Sequence, residues 1–516
     1  LAARSQPAIR RQPHAEFPLT QWPRRMRHLI LLVVGWGIAV TSSGQNEMDI
    51  LRYSQQEVSG TLRNLGMGGT MGAVGADLSC AFSNPAGLGL YRRGDLGFDL
   101  GFAGATTRLA FEGVSQRGNA SNAPITNAGL AITYPSVDPD WPFVTLAIAY
   151  QKRTELHQQI LAQGTALDGS LADLFRNQAN GLYTNELYQG ANAFTSALAW
   201  ETYLLDPDPT NPACETCYIS AMDDAGGTLT SKRIDREGSV GETAISFAAN
   251  YRHRLYFGGS IGLPRIAFSE QTLHEEQPLA DTIALNQWRF NEQLDIEGSG
   301  VNVRIGAIWA IASWMRVGVN YATRSRLNLR DTYSTDLSTQ WNDGTTYEAA
   351  SPLNQAEYLI YTPSRLAVNA AIVLGKSGVI AAEYERTDYR QGELRPSAFS
   401  GPSAYDYETE NEVAQDLYSV SHAARVGAEL RIATNHRLRL GAGMTPSPYA
   451  SDEGTTDPTR YHASLGWAFR SETWYAGASY LLSIWEENLY PWGIPTDPAL
   501  LYRQNGVFTI GVGARL

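Results

Sequence analysis

The chain has 516 residues, 48 of them glycine, with 10% aromatic and only 18% charged side chains. A mean hydropathy of -0.26 excludes a bundle of apolar membrane helices, and a formal charge of -12 with no basic run after residue 28 excludes a nucleic-acid surface. Of the three cysteines, Cys214 and Cys217 form a single C-E-T-C with no second pair and no matching histidines, so they read as a local disulfide or two free thiols rather than a zinc site.

In chain order, residues 1–25 read as an upstream extension of the reading frame, with the start at Met26. Arg24, Arg25, Arg27 and His28 precede the apolar run Leu29 to Val40, and the small residues TSSG follow, so 26–44 reads as a signal peptide. Gln45 stands where a lipoprotein would need cysteine, which predicts export without a lipid anchor.

Residues 65–90, LGMGGTMGAVGADLSCAFSNPAGLGL, carry neither a Walker loop nor a dinucleotide turn, and no Lys or Arg lies between Arg63 and Arg92 to meet a phosphate. Glycine lets a backbone turn tightly and lie close to a wall, and proline fixes a bend. Segment 45–94 therefore reads as a small hatch inside a barrel, with Gly66, Gly68, Gly69, Asn84, Pro85 and Ala86 as the positions that hold or gate it.

From residue 95 to the end, apolar residues recur with a period of two. In VNVRIGAIWAIA, Val301, Val303, Ile305, Trp309 and Ile311 alternate with Asn302, Arg304 and Gly306, and the pattern repeats in MRVGVNYAT, SHAARVGAELRI, YHASLGWAFR and VFTIGVGARL. About fifteen such segments are counted, many near ten residues long, joined alternately by short turns and by long polar loops at 152–191, 205–240, 330–363, 389–415 and 445–459. Trp141, Tyr150, Trp200, Trp309, Trp474 and Tyr480 read as interfacial girdles, and Gly511-x-x-Ala514-x-Leu516 resembles a terminal β-signal. The expected fold is all-β: a transmembrane antiparallel barrel over 95–516 with long extracellular loops.

In loop 167–188, Ser170 and Asp173 form a capping box, and Gly181 supplies a stop. Leu171, Leu174 and Phe175 share a helical face that Leu182 and Tyr183 extend: either a capture surface for apolar ligands or a face packed on neighbouring loops.

Arg63-Asn64-Leu65-Gly66-Met67-Gly68-Gly69, Gly75-Ala76-Asp77-Leu78-Ser79 and Asn84-Pro85-Ala86-Gly87-Leu88 resemble the FadL/OmpP1/TodX family, as do segments 198–209, 241–266 and 364–385 in its Bacteroidetes-type branch. The resemblance implies a monomeric outer-membrane barrel of about fourteen strands with an internal hatch. It also implies passive transport of long-chain fatty acids or other hydrophobic molecules, through capture by loops, gating by the hatch and sideways release toward the bilayer. Outer-membrane lipid and lipopolysaccharide would be its surroundings. The alternative within this reading is a non-transport interaction barrel, such as a shuttle protein of type IX secretion. No cofactor, metal or catalytic residue is expected: no G-x-S-x-G and no haem-binding constellation accompanies the hatch.

Overall fold

In the computed structural model, residues 47–111, 114–166, 169–397, 405–450, 458–489 and 499–516 are described; the signal peptide and the upstream extension lie outside them. The period-two pattern becomes a wall. Along the strand that contains Val301, Ile305 and Trp309, these side chains are 44%, 56% and 51% exposed, whereas Asn302 and Arg304 between them are each 4% exposed. Grease faces outward and charge faces inward, the reverse of a soluble sheet. From Val301 to Ile311 a strand tilted by about 40° rises about 25 Å, the height of a lipid-facing belt.

The strands in chain order are β1 (Asp95–Phe111), β2 (Val114–Asn122), β3 (Ile125–Pro135), β4 (Phe143–Glu155), β5 (Gln158–Ala166), β6 (Leu205–Pro207), β7 (Tyr218–Ser220), β8 (Thr228–Tyr251), β9 (Leu255–Pro278) and β10 (Leu285–Ala312). They continue as β11 (Met315–Ala322), β12 (Arg326–Trp341), β13 (Thr346–Ala350), β14 (Asn354–Tyr361), β15 (Arg365–Val373), β16 (Gly378–Asp388), β17 (Glu393–Pro396), β18 (Val420–Arg431), β19 (His436–Thr445), β20 (Arg460–Arg470), β21 (Trp474–Leu489) and β22 (Ala499–Arg515). Around the belt the antiparallel ladders run β1-β3-β4-β8-β9-β10-β11-β15-β16-β18-β19-β20-β21-β22 and return to β1, giving a closed transmembrane barrel of 14 strands. No described helix is long and apolar enough to cross a membrane; strands make the crossing.

Two sequence expectations change. The segment 192–204 is not a strand: it forms a 3-10 turn (Gly190–Phe194) and a short helix (Ser196–Glu201) in a loop domain, so Trp200 packs there against Tyr218 instead of joining a girdle. Its apolar run also fits a short helix, and Ala197, Leu198 and Ala199 are buried in the loop-domain core that way. The long polar connections 152–191 and 330–363 contain strands of their own, because β8, β9, β10 and β12 continue well above the belt and need partners there.

Candidate functional site

The lumen is filled from the N-terminal side by α1 (Glu47–Ser54), α2 (Leu62–Gly66) and two 3-10 turns, Leu78–Ala81 and Pro85–Leu90. Each piece is too short to be stable alone, and the last three are fixed by side-chain caps. Thr61 accepts the Asn64 N–H at 3.1 Å, Asp77 accepts the Ser79 N–H at 3.0 Å, and Asn84 accepts the Ala86 N–H at 3.2 Å while donating to the Gly72 carbonyl at 2.8 Å. Met67, Met71, Val74, Leu78, Phe82 and Leu88 then pack against small wall residues such as Ala131, Ala149, Ala244 and Ala381.

Glycine explains the closeness of this fit on both sides. Gly68 has φ +63° and Gly69 φ +86°, the left-handed region, and a Cβ on Gly68 would stand 3.1 Å from the Gly441 Cα of β19. Opposite the Asn84-Pro85 step the wall itself has Gly258 and Gly306, where any side chain would collide with Pro85 and Asn84. Asn84, Pro85 and Ala86 are buried against β9 and β10, and Asn84 also reaches the Ala307 carbonyl at 3.4 Å. In this arrangement they anchor the hatch to the wall. Charge ties the far side: Arg63 meets Glu429 through two bonds of 3.0 and 3.1 Å, and Arg439 meets the same carboxylate at 2.8 Å.

Above the hatch lies an apolar chamber whose walls include Ile266, Phe268, Ile296, Leu329, Tyr358 and Ile360. Helix α1 occupies it, burying Ile50, Leu51 and Tyr53. Asp49 is fully buried beside Arg52, with the Tyr358 hydroxyl at 3.3 Å, and the Arg52 guanidinium lies 4.4 Å from the Phe268 ring centre. Burial pushes the Asp49 carboxyl up to about 6, although Arg52 pulls it down; Asp331 and Glu270 add to the rise. A carboxyl raised in the docked state favours docking when protonated. The docked helix is therefore expected to be tightest below the ordinary carboxylate range near pH 4 and to lose that stabilisation as pH rises through about 6. The protection factors of the 47–54 amides, which remove the intrinsic pH dependence of exchange, should fall across that window in the native chain and stay flat in Asp49→Asn.

The wall is interrupted beside the hatch. β2 and β3 are one strand broken at Ala123-Pro124, where proline lacks the N–H for a ladder bond, and β4 and β5 are one strand broken at Leu156-His157. β3 pairs with β4 below the breaks, but above them no ladder among the described residues joins β2 to β5. Side chains hold this seam instead: the Thr107 hydroxyl donates to the Gln159 carbonyl at 2.5 Å, the Gln116 amide to Gln163 at 3.1 Å, and the Asn122 amide sits 3.2 Å from His157 Nδ1. The chain between α1 and α2 lies against its inner side. Thr154 donates to the Gln55 carbonyl at 3.1 Å, the Glu155 N–H to the Glu57 carboxylate at 3.3 Å, and Arg153 bonds Gln56. A cleft of about 20 Å³ remains there, lined by Glu57, Gly104, Ser121, Asn122, His157 and Gly506. That is room for roughly one water.

His157 Nδ1 stands 2.5 Å from Glu155, which raises the imidazole above its ordinary value. The attraction is fully present below about pH 6.5 and is lost as pH rises through the raised value. With its Nδ1–H given to Glu155 the ring has no lone pair there for the Asn122 amide, so the ion pair orders the β4–β5 break: the protection factors of the 158–164 amides are expected to fall on the alkaline side, with His157→Gln removing the pH step.

The loop residues fare differently. Phe175 is 1% exposed and packs edge-on against Trp288 and Phe290, Leu171 and Leu182 are half-buried on the same cluster, and Leu174 is half-buried. Tyr183, at 53%, is the open member of the five. The capping box forms as expected, and its Ser170 hydroxyl bonds the buried Glu276 carboxylate. Cys214 and Cys217 are joined as a disulfide in this loop domain. Neither the seam nor the chamber was read from the sequence; the pairs Ala123-Pro124 and Leu156-His157 were the available signal for the first.

No family model and no curated protein sequence matches the chain. Solved structures do: the Pseudomonas putida toluene transporter TodX at 12% identity, covering 89% of this chain and 99% of that one with a TM-score of 0.52. A Pseudomonas aeruginosa FadL homologue matches at 11% identity, covering 88% and 98%, with a TM-score of 0.51. The likeness agrees with the resemblance carried by the segment around Asn84-Pro85-Ala86: this chain has the barrel fold of TodX and the FadL homologue.

Proposed function

We propose that the protein is an outer-membrane channel for passive movement of hydrophobic small molecules, long-chain fatty acids or monoaromatic hydrocarbons among them. The observation that carries this reading is the seam between β2 and β5, which opens without breaking a backbone ladder and lies next to the hatch. A solute would displace α1 from the apolar chamber, pass the strap at Gln55–Glu57, and leave sideways at the foot of the seam, where Ile125 and Phe102 mark the upper rim of the lipid-facing belt. A sideways route keeps each methylene out of water, where exposure costs about 0.8 kcal/mol. Tyr183 and Leu174 are the open part of a capture surface on the loops. The chain acts as a monomer: around the belt its barrel closes on itself, and the β2 and β5 edges at the seam are bridged by their own side chains. Neighbours in fold named for toluene transport support the solute class. The test is uptake of labelled toluene and labelled oleate into proteoliposomes: uptake above that of protein-free vesicles for either probe supports the channel. No uptake of either, together with a secreted protein that co-purifies, would favour the shuttle reading.

A further inference from the structure

On the outer surface, away from the seam, the wall changes partners. β10 pairs with β11 below Arg304 and with β12 above Val301, and its ladder to β9 skips Gly300 and Val301, opposite Leu263 and Pro264, where proline has no N–H to donate. A surface cavity of about 220 Å³ lies at this break, lined by Ser299, Gly300, Val301, Arg326, Asn328 and Leu359. Its height matters. Val301 is the last apolar position of the belt on β10, so the cavity opens where hydrocarbon gives way to headgroups on the loop side.

The charge here runs against the rest of the molecule. Arg265 pairs across the strand with Ser299, and Arg326 with Val301, so two guanidiniums flank the small residues Ser299 and Gly300 from both neighbouring strands. Both are exposed and neither forms an ion pair or hydrogen bond among the described residues. Arg324, just before β12, and Arg395, on β17 two strands further round, lie 5.1 and 4.9 Å from the Tyr361 ring centre and share the single carboxylate of Glu393 at 3.0 and 2.6 Å. At this level four arginines stand beside one carboxylate, which only Arg324 and Arg395 meet, in a chain whose formal charge is -12. Higher up, Glu297 and the Arg330–Glu357 pair end the positive row. Unpaired guanidiniums in a fixed position at a bilayer interface are suited to a phosphate, which they grip in the plane of two N–H donors.

We propose that this cavity is a seat for the phosphate of a phosphorylated outer-leaflet lipid, with Arg326 from its lining and Arg265, which stands across the strand from Ser299 at its edge, as the principal ligands and the belt residues Leu263 and Val301 receiving the acyl chains. The proposal rests on the outer-membrane reading above. It assigns the lipid a defined place on the wall three strands round from solute exit, where it would brace the partner change of β10.

The test is native mass spectrometry of the purified full chain titrated in detergent with three probes: lipid A carrying both phosphates, lipid A with the phosphates removed, and inorganic phosphate. The chain is compared with Arg265→Gln/Arg326→Gln and with Arg233→Gln, an exposed arginine elsewhere on the barrel. Removing two interfacial charges is expected to weaken retention of the bisphosphorylated lipid about 30-fold, while Arg233→Gln leaves it unchanged. Equal retention by the double variant, or equal retention of the dephosphorylated lipid, overturns the proposal; displacement of the lipid by millimolar inorganic phosphate makes the site a free-anion site and overturns the lipid assignment. Density-gradient fractionation of cells tests the outer-membrane reading separately, because a chain absent from that membrane fails there whatever lipid it binds in detergent.

Discussion

Deleting residues 47–90 is expected to turn a sealed barrel into an open pore, raising single-channel conductance in planar bilayers by at least about tenfold. Small barrels of about 8 strands are filled by their own side chains, whereas those of 16–18 strands enclose a water channel. A barrel of 14 strands is wide enough to conduct unless something fills it. Here α1, α2 and the two 3-10 turns fill it, burying their apolar residues against wall alanines. The wall does not depend on them for closure: β1 pairs with β22 from Asp95–Arg515 to Ala110–Leu500 by backbone bonds alone. A deletion variant that conducts no better than the intact chain would place the seal in the loops.

Glu429→Ala is expected to be the most damaging single change in the hatch. It leaves Arg63 and Arg439 buried without their shared carboxylate, and breaking a buried pair by removing one partner costs about 3–5 kcal/mol. Only the hatch end of the pair is free to move, so the loss should appear as local opening: amides in 62–90 exchanging about 10²–10³ times faster, with the belt strands unchanged. The opposite outcome is expected when the whole triad is made apolar. Arg63→Met, Glu429→Leu and Arg439→Met together leave no charge stranded and should restore most of the protection. If the single and the triple variant open equally, the charges are not what ties the hatch.

The wall was legible because burial in lipid imposes one rule on each face: Val301 to Ile311 must be apolar outward, while the lumen admits Asn302 and Arg304. Above the belt that rule lapses, and so did the reading. β2, VSQRGNASN, and β12, RLNLRDTYSTDLSTQW, meet water or a polar lumen and show no sustained greasy face, so β2 is not among the period-two segments and most of β12 falls in the loop expected at 330–363. The helix around Trp200 was misassigned for the converse reason, since a short apolar run fits both periods. For the hatch, Gly66, Gly68 and Asn84-Pro85-Ala86 lie close against the wall, yet half of the fit lies in Gly258, Gly306 and Gly441, far along the chain. The chamber and the seam were not legible because they arise from strands that are close in space and distant in sequence.

The account stands or falls on the seam. Gln116 and Gln163 face each other across it at 3.1 Å, and the native thiols will not interfere, since Cys80 is buried and Cys214 and Cys217 are joined. Gln116→Cys and Gln163→Cys, bridged by a short bifunctional thiol reagent in proteoliposomes, lock β2 to β5 without touching the lumen. Uptake of labelled toluene and oleate is predicted to fall to background in the bridged double variant and to persist in each single variant treated with the same reagent. Undiminished uptake through the bridged barrel would contradict lateral release and send the solute straight down the lumen past the hatch.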